Sequence, residues 1–446
     1  MLDELFIRDL GDGLILRRAA REDAEALAQF DGAIFRQPDT APLHQGIMAT
    51  IYDLAARPHP TFRISDFLIV ENTRTKCIVS SCNLISQTWA YEGIRFGVGR
   101  PEVVATDPDY RNRGLVRAQF EVLHQWSAAQ GHLVQAITGI PFYYRQFGYE
   151  MCMPLGGGRV GIAQEIPLLK EGECEPFQVR QAQVDDLPFM NELYVQGNKR
   201  SLVYCPRSAV QWRYELDGCS PDNNNRLELR IIQENGGTPL GFLAYKLAAP
   251  GGWLDLLLYE LAPDVSWLKV TPSVLRYLKT VGETLCAQEV LQVPFRQFAL
   301  GLGPDHPVYQ VIPSRLPLNL PPYSWYLRSP DLPAFIHRIA PVLEQRVAGS
   351  LARGFTGELK ISFYRSGLEL AWEQGKLVKV VPWHPGVRDW AVPRFPGLTF
   401  LQLLFGKCTL EELMLIYTDC SGGSDQDNLL LRALFPRKAS NVWPID

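Results

Sequence analysis

Two stretches of this chain decide how its fold is interpreted: YRNRGLVR at residues 110–117 and FYYRQFGYE at residues 142–150. The first stretch sets three arginines and a glycine at the start of a predicted helix. A helix N-terminus has unpaired amide donors and a partial positive charge, so a basic, glycine-bearing turn there favours a bound phosphate group. The second stretch places tyrosines after the next predicted strand. Together they predict a site for a pyrophosphate-bearing molecule beside a proton-donating tyrosine.

The residues around the first stretch predict a strand, a helix and a second strand. Residues 101–106 (PEVVAT) have an extended pattern, and Pro108 marks the turn that follows. A helix is predicted over about 112–130, closed by Gly131. Its apolar residues recur on one face: Leu115, Ala118, Val122, Leu123 and Trp126. Since strand 133–138 then returns beside the first strand, we expect a mixed sheet and an α/β (α+β) fold.

A segment near the start of the chain resembles a second segment 163 residues later. Residues 16–27 (LRRAAREDAEAL) and 179–190 (VRQAQVDDLPFM) both have the pattern of a short strand followed by an acidic helix start. Asp23 and Asp186 fall where a carboxylate opposes the helix dipole. The similarity predicts two copies of one domain, unless two strand–helix starts are alike by chance. Because residues 261–264 (LAPD) replace the basic turn in the second copy, we expect only the first copy to bind phosphate.

A proline-rich stretch at residues 312–334 separates the second copy from a third region. In this third region the pattern predicts a helix over 338–350, a hairpin of residues 358–364 and 368–372, and short helices near the C-terminus. A chain of 446 residues is long enough for about three domains. We therefore predict domains at residues 1–160, 176–325 and 326–446.

The composition argues against several functional classes. The net charge of -4 and the pI of about 6.0 show no excess of basic residues, so we expect no nucleic-acid partner. No apolar run approaches the roughly 20 residues of a membrane helix, and residues 1–5 lack the start of a signal peptide, which predicts a cytoplasmic protein. The nine cysteines form no CxxC pair and the seven histidines no HExxH motif, so we expect reduced thiols and no metal site.

The stretch TDPDYRNRGL at residues 106–115 resembles the pyrophosphate loop of GNAT acetyltransferases. The stretch YRQFGY at residues 144–149 resembles the tyrosine-bearing segment of one branch of that family, the Eis-like (enhanced intracellular survival) proteins. The resemblance covers essentially the whole chain. It implies tandem GNAT mixed-sheet domains, the second of them degenerate, followed by a smaller sterol-carrier-protein-like α/β domain. It also implies a homo-oligomer, which in this branch is often a hexamer.

The resemblance further implies roles for single residues. Acetyl-CoA would be the co-substrate, and its pantetheine arm would pair as an added strand with the backbone of Val104, Ala105 and Thr106. The pyrophosphate would lie against six residues of the turn and helix start: Asn112, Arg113, Gly114, Leu115, Val116 and Arg117. Residues 139–140 would lie near the sulfur end of the co-substrate. Tyr144 would be the general acid that protonates the departing CoA thiolate.

The amine that attacks acetyl-CoA must lose a proton, and two groups are candidates for the base. In Eis-like proteins the C-terminal carboxylate of the chain has this role, which here points to Asp446. This chain ends in Ile445-Asp446, whereas family members tend to end in an aromatic residue. Glu102, at the start of the strand that runs into the predicted site, is therefore the alternative base.

The leading prediction is an acetyl-CoA-dependent N-acetyltransferase that acts on a primary amine of a small molecule or peptide. The acetyl group would pass directly to the amine through a tetrahedral intermediate. The alternative is a non-catalytic protein that binds or senses acyl-CoA or lipid, with the third domain as carrier of an apolar ligand. A pure sensor has no need of a general acid, so the presence of Tyr144 favours the enzyme.

Overall fold

The computed structural model describes residues 6–38, 40–288, 293–386, 389 and 391–444. The strands in chain order are β1 (Ile7–Gly11), β2 (Leu14–Arg18), β3 (Phe67–Asn72), β4 (Cys77–Tyr91), β5 (Ile94–Thr106), β6 (Val134–Ile137), β7 (Glu150–Leu155), β8 (Gly158–Ile162), β9 (Phe177–Gln181), β10 (Val203–Tyr204), β11 (Leu227–Glu234), β12 (Pro239–Lys246), β13 (Trp253–Leu261), β14 (Gln297–Leu300), β15 (Leu318–Leu320), β16 (Tyr323–Arg328), β17 (Gly357–Ser362), β18 (Gly367–Glu373) and β19 (Lys376–Trp383). The helices are α1 (Ala24–Ile34), α2 (Gln45–Ala56), α3 (Leu115–Ala129), α4 (Leu187–Asn198), α5 (Ala209–Arg213), α6 (Trp267–Gln288), α7 (Val308–Val311), α8 (Leu332–Arg338), α9 (Ala340–Ala348), α10 (Phe400–Leu404), α11 (Leu410–Ile416) and α12 (Asp425–Leu434).

The first sheet has the strand order β1-β2-β3-β4-β5-β6-β16-β7, and the short β10 pairs with the end of β4. Neighbouring strands are antiparallel except β5 and β6, which run parallel. Alternate residues of β3 point to opposite faces, so Phe67 and Ile69 pack with α1 and α2, while Leu68 and Val70 pack with α3. Helices therefore cover both faces of this sheet, which is mixed, as the sequence predicts.

The second sheet has the order β15-β8-β14-β13-β12-β11-β9. Strands β9, β11, β12 and β13 are antiparallel neighbours, and β13 runs parallel to β14. Helix α6 connects β13 to β14, just as α3 connects β5 to β6 in the first sheet. The two sheets thus share one pattern of strand pairing.

The two segments related by the 163-residue offset fold alike. Arg17 donates to both carboxylate oxygens of Asp23 at 2.7 and 2.8 Å, and Arg180 donates to both of Asp186 at 2.6 and 2.7 Å. Each aspartate also accepts the backbone N–H of the residue three positions earlier, which caps the turn before α1 or α4. Both carboxylates therefore tie a strand end to a helix start, in addition to opposing the helix dipole.

The two sheets exchange strands. Strand β16 lies in the first sheet between β6 and β7, whereas β8, which directly follows β7, lies in the second sheet between β14 and β15. The crossing from β7 to β8 runs through glycines with φ of 87° at Gly157 and 148° at Gly158. A β-carbon at Gly158 would lie 2.1 Å from the carbonyl oxygen of Leu300, and one at Gly157 would lie 2.9 Å from the side chain of Pro322. Only glycine fits where the crossing segments meet.

The third region packs the antiparallel sheet β17-β18-β19 against helices that follow it and precede it. Its core is continuous with the end of the β4–β5 hairpin, because Tyr91 and Phe96 pack edge-on against Phe335 of α8. The predicted hairpin is present as β17 and β18, and β19 extends it by a strand that we did not predict. Of the short helices predicted near the C-terminus, α11 begins with a capping box in which Thr409 and Glu412 cap it reciprocally.

The boundaries of three helices differ from prediction. Helix α3 begins at Leu115, three residues later than expected, because Asn112 and Gly114 adopt positive φ angles of 63° and 76°. The sequence predicts a helix that starts at about Pro272 with Thr271 as its N-cap, whereas α6 begins at Trp267 and accommodates Pro272 inside it. The predicted helix over 338–350 is present as α9, which is shorter at both ends; it follows α8 directly, and a proline at its second position marks the new helix start. The domain limits 1–160, 176–325 and 326–446 stay predictions.

Within the described ranges, no helix is long and apolar enough to cross a bilayer. The same residues contain no group of three or more histidine, cysteine, aspartate or glutamate side chains placed to hold a metal ion. The cysteines are free thiols, and most of them are buried.

Candidate active site

Strands β5 and β6 diverge after a short parallel contact. They pair at Val98–Val134 and Gly99–Gln135, and β5 then continues to Thr106 away from β6. On the side where β6 departs, the backbone donors and acceptors of β5 face an open slot. Such an exposed strand edge can accept an extended molecule as an added strand.

A β-bulge lies in β5 where the two strands diverge. Ser81 pairs with Ala105 and Asn83 pairs with Glu102, so β5 carries one residue more than β4 here. Val103, inside the bulge, has a φ of 50°, which is rare for a β-branched residue. Such strain persists only where the surrounding structure holds it, and it concentrates at functional sites. A bulge also re-aims the backbone groups that follow it in the strand.

A groove of about 690 Å³ extends from this slot to the N-terminus of α3. Most of the predicted cofactor-binding residues line it: Val104, Ala105, Thr106, Asn112, Gly114, Leu115, Val116 and Arg117. Arg113 lies outside this lining, with its guanidinium 4.8 Å above the ring of Tyr110 and donating to the carbonyl of Asp109. The structure thus brings together the two predicted binding segments, one along β5 and one at the helix start.

The start of α3 concentrates positive charge at the groove. Gly114 occupies the N-cap position in the left-handed conformation, so the amides of the first helical turn follow directly. Arg111, Arg113 and Arg117 are exposed, and none forms an ion pair with a carboxylate among the residues that the structure describes. Arg117 instead donates to the side-chain oxygen of Gln146 at 3.1 Å. Their charge is available to an anion in the groove.

Tyr144 is not among the residues that line the groove, whereas its neighbours Tyr143 and Ile140 are. It is only 3% exposed, in the short helical segment Tyr143–Phe147. Its ring stacks on Phe120 with centroids 5.8 Å apart. Burial, together with the negative charge of Glu102, raises the pKa of Tyr144 above its usual value near 10. The phenol therefore carries its proton throughout the neutral range.

The two candidate bases differ in what the structure shows of them. Glu102 is half-buried in β5, and its carboxylate accepts a hydrogen bond of 2.5 Å from the buried guanidinium of Arg100. Its charge contributes to the raised pKa of Tyr144. Asp446 lies outside the described residues, which end at Pro444.

A buried polar cluster beside the bulge was not predicted. Asp31 of α1 is fully buried, and its carboxyl accepts a hydrogen bond of 2.6 Å from Ser81 of β4. Asn83, also fully buried, has no hydrogen-bond partner for either side-chain polar atom among the described residues. The sequence carries a signal for Asp31, because it falls four residues after Leu27 on the apolar face of α1. Asn83 carries no comparable signal.

Comparison with known families identifies the part of the chain that contains this site. Residues 16–152 match the family model described as the acetyltransferase (GNAT) domain. A comparison with curated proteins finds no match.

Solved structures with the same fold cover nearly the whole chain. A probable N-acyltransferase from Enterococcus faecalis V583 is 15% identical with a TM-score of 0.62, over 96% of this chain and 97% of that one. A GCN5-related N-acetyltransferase from Anabaena variabilis is 14% identical with a TM-score of 0.61, over 96% and 99%. Eis1 from Mycobacterium abscessus is 14% identical with a TM-score of 0.54, over 96% and 98%. At these identities the likeness concerns the fold.

The prediction of a mixed α/β fold is confirmed, and the chain carries a GNAT acetyltransferase domain that contains β5, α3 and Tyr144. The prediction of an N-acetyltransferase enzyme is confirmed by the family match over residues 16–152. The roles of single residues stay predictions.

Proposed function

We propose that this protein transfers the acetyl group of acetyl-CoA to a primary amine on a small molecule or peptide. The observation that carries the proposal is the diverging edge of β5, which leads into a basic helix start and ends near a buried tyrosine. The same groove thus offers places for an extended arm, a pyrophosphate and a reacting thioester.

The proposed position of acetyl-CoA follows the groove. Its pantetheine arm pairs with the backbone of Val104, Ala105 and Thr106, where β6 no longer pairs with β5. Its pyrophosphate lies at the start of α3, where the first-turn amides, the helix dipole and exposed arginines all favour negative charge. The sequence predicts Arg113 and Arg117 for this contact. Of the two, Arg117 lines the groove, so we assign it the direct contact and Arg113 a longer-range charge.

The proposed reaction is a direct transfer. The amine nitrogen attacks the thioester carbonyl carbon, and an amide of β5 at the bulge stabilises the oxyanion that forms. The carbon–sulfur bond then breaks, and the sulfur takes the proton of the Tyr144 hydroxyl. Because the pKa of Tyr144 is raised, the phenol holds its proton until negative charge develops on the sulfur.

The proton that the amine loses requires a base, and we propose the carboxylate of Asp446 with Glu102 as the alternative. Glu102 has the support of position, since it lies in β5 beside the bulge and its charge acts on Tyr144. Its carboxylate also accepts a hydrogen bond from Arg100. The role of Asp446 is supported by the resemblance to Eis-like proteins.

We further propose that the three regions are a catalytic GNAT domain, a degenerate GNAT domain and a sterol-carrier-protein-like domain. The shared strand pairing of the two large sheets supports the second assignment. The turn after β13, residues 262–266 (APDVS), contains no basic residue, which supports loss of the cofactor site there. A cytoplasmic homo-oligomer, a hexamer in Eis-like proteins, completes the proposal.

Acetyl transfer can be tested by mixing the protein with acetyl-CoA and a panel of primary amines while free thiol is followed. We expect thiol release with at least one amine, and we expect Tyr144→Phe to lower turnover about a hundredfold or more because the general acid is lost. Binding of acetyl-CoA, measured by calorimetry, should persist in the variant.

The matched control is Tyr149→Phe, which removes a buried phenol hydroxyl from the same aromatic cluster. That hydroxyl contacts His124 at 3.0 Å and has no proposed role in transfer. Its turnover should stay near that of the wild type. Full turnover in Tyr144→Phe would remove Tyr144 from the mechanism. Tight acetyl-CoA binding without thiol release from any amine would instead support the acyl-CoA sensor.

A further inference from the structure

The strand on the far side of β6 comes from a distant part of the chain. Strand β16 pairs with β6 through Tyr326 and Ile137, and with β7 through Tyr326 and Met151. It thereby lies against the loop of residues 138–142, which leads from β6 to Tyr144. Side chains encoded about 180 residues after the catalytic loop therefore border it.

Tyr326 contacts both Tyr144 and the loop. Its ring is fully buried and meets the ring of Tyr144 edge-on, with centroids 5.6 Å apart and planes at 75°. Its hydroxyl donates to the carbonyl oxygen of Ile140 at 3.2 Å. A second tyrosine of the same strand, Tyr323, donates its hydroxyl to the carbonyl oxygen of Gly139. One strand thus anchors two successive carbonyls of the loop and the ring that follows them.

The loop needs such anchors because its own side chains do not fix it. Ile140 and Phe142 are 52% and 66% exposed, so they contribute little packing. Phe142 has a φ of 59°, a left-handed conformation that a non-glycine residue keeps only where its surroundings hold it. Within the loop, the N–H of Tyr143 reaches the carbonyl of Ile140 at 3.3 Å. The contacts from β16 add the restraint from outside.

We propose that Tyr326 is a positioning residue for acetyl transfer: its ring fixes the orientation of Tyr144, and its hydroxyl fixes the adjoining loop. The inference rests on the proposed role of Tyr144 as general acid. A phenol that rotates away from the departing sulfur is productive for only part of the time, so loose packing lowers kcat. Acetyl-CoA is held at the start of α3 and along β5, and its KM should therefore change little.

Two substitutions separate the hydroxyl from the ring. Tyr326→Phe keeps the ring packing and removes one hydrogen bond, so we expect kcat to fall roughly threefold to tenfold. Tyr326→Leu also removes the ring that abuts Tyr144, so we expect a fall of about a hundredfold. In both variants the KM for acetyl-CoA should stay within about twofold of the wild type, because only the chemical step is affected.

Tyr309→Phe is the matched control. Its hydroxyl donates to the carbonyl oxygen of Leu300 at 2.7 Å, at the end of β14, which is the strand in the second sheet that corresponds to β6, and it accepts the N–H of Leu302 at 3.3 Å. The substitution removes the same kind of tyrosine–carbonyl bond, together with the bond from Leu302, away from the proposed site. We expect a loss in melting temperature at least as large as in Tyr326→Phe, with unchanged kcat. An equal fall of kcat in Tyr309→Phe and Tyr326→Phe would show a general effect of stability and overturn the positioning role.

A second readout does not depend on turnover. With tyrosine labelled at its phenol carbon, the Tyr144 ring can be observed by NMR, and Tyr144→Phe identifies its signal. The ring of Tyr326 lies edge-on against that of Tyr144 with centroids 5.6 Å apart, so its removal in Tyr326→Leu should shift the Tyr144 signal and change its linewidth as the ring becomes mobile.

The two readouts separate the two proposals. A wild type that acetylates no amine would defeat the proposed function, and the NMR shift would still decide whether Tyr326 positions Tyr144. An unshifted Tyr144 signal in Tyr326→Leu would overturn the positioning role whatever the activity. Should Tyr326→Leu fail to fold, the kcat of Tyr326→Phe decides, and a value equal to the wild type would overturn the role.

Discussion

Asp31 is a carboxyl group in an environment that favours its neutral form. It is fully buried in α1, with one oxygen bonded to Ser81 and the other without a hydrogen-bond partner among the described residues. Burial raises the pKa of Asp31 to about 8, against about 3.9 in an unfolded chain. The carboxyl is therefore largely protonated at neutral pH in the folded protein.

We expect Asp31→Asn to reduce the dependence of folding stability on pH. Between about pH 4 and pH 8 the folded state keeps a proton on Asp31 that the unfolded state has lost, so stability falls as pH rises through this window. The asparagine amide does not titrate, so this fall in folding stability with rising pH is absent from the variant. Thermal unfolding followed by circular dichroism should show a gain in melting temperature over the wild type that is larger at about pH 8 than at about pH 5.

Asp53→Asn is the control for a buried aspartate that is fully paired. Its carboxylate accepts the backbone N–H of Ser220 at 2.8 Å and the side-chain amide of Asn223 at 2.7 Å. Its replacement should lower the melting temperature at both pH values, because the partner donors lose their acceptor. If Asp31→Asn changed the melting temperature equally at both pH values, Asp31 would be ionised in the folded protein, and the predicted pH dependence would be wrong.

The N-cap residue of helix α3, Gly114, adopts a left-handed conformation. Gly114 has a φ of 76°, and a β-carbon there would meet no atom within 4 Å. The only cost of a side chain at this position is therefore backbone strain, which is about 1–2 kcal/mol in the left-handed region. Because the amides that follow Gly114 face the groove, this strain acts directly on the proposed pyrophosphate site.

We expect Gly114→Ala to weaken acetyl-CoA binding by roughly fivefold to thirtyfold, the range that corresponds to 1–2 kcal/mol. The alanine favours a right-handed φ, which tilts the first-turn amides away from the phosphate oxygens. Calorimetric titration with acetyl-CoA gives the dissociation constant, and thermal unfolding gives the accompanying loss of stability.

The control lies at the other end of the same helix. Gly131 has a φ of 74°, and a β-carbon there would also meet no atom within 4 Å. Gly131→Ala should therefore cost similar stability and leave acetyl-CoA affinity unchanged. Equal losses of affinity in Gly114→Ala and Gly131→Ala would mean that strain anywhere in α3 disturbs the groove, and the assigned role of the helix start would fail.

At the scale of the whole molecule, the C-terminal tail connects the regions of the chain. The N–H of Leu202 donates to the carbonyl of Ala439 at 2.7 Å, and the N–H of Asn441 donates to that of Val203 at 3.1 Å. Val203 also pairs with the end of β4, so the tail is tied through β10 to the first sheet. The buried guanidinium of Arg207 holds the carbonyl of Trp443 at 3.0 Å. Residues 439–443 are thus fixed before the chain ends.

We expect deletion of Ile445 and Asp446 to abolish acetyl transfer while the protein stays folded. The proposed base is lost, whereas the hydrogen bonds of residues 439–443 are kept. Thiol release measures activity, and the melting temperature together with acetyl-CoA affinity should match those of the wild type.

Glu102→Gln, assayed in parallel, distinguishes the two candidate bases. Full activity in the truncated protein with loss of activity in Glu102→Gln would assign the base to Glu102 and contradict the terminal carboxylate. Loss of melting temperature in the truncated protein would show that the last two residues stabilise the fold, and Asp446→Asn would then leave the terminal carboxylate in place for comparison.

Local sequence patterns were sufficient to predict much of the secondary structure and several of the residues at the candidate site. Hydrophobic spacing and the positions of proline and glycine predict the strand, the basic turn and the helix between residues 101 and 138. Most of the predicted cofactor-binding residues line one groove in this part of the fold. The 163-residue offset locates two helix starts with the same Arg–Asp pairing. Such features are readable because each depends on residues close together in the chain.

Only the tertiary structure decided which strands meet and what surrounds Tyr144. Strand β16 joins the first sheet and β8 the second, and nothing local in either segment distinguishes these sheets as partners. Tyr326 reaches Tyr144 through this packing. The alternation of apolar and polar residues along a strand determines which of its faces is buried. The neighbouring strand depends instead on how segments distant in sequence pack together, and this information is not local to the strand.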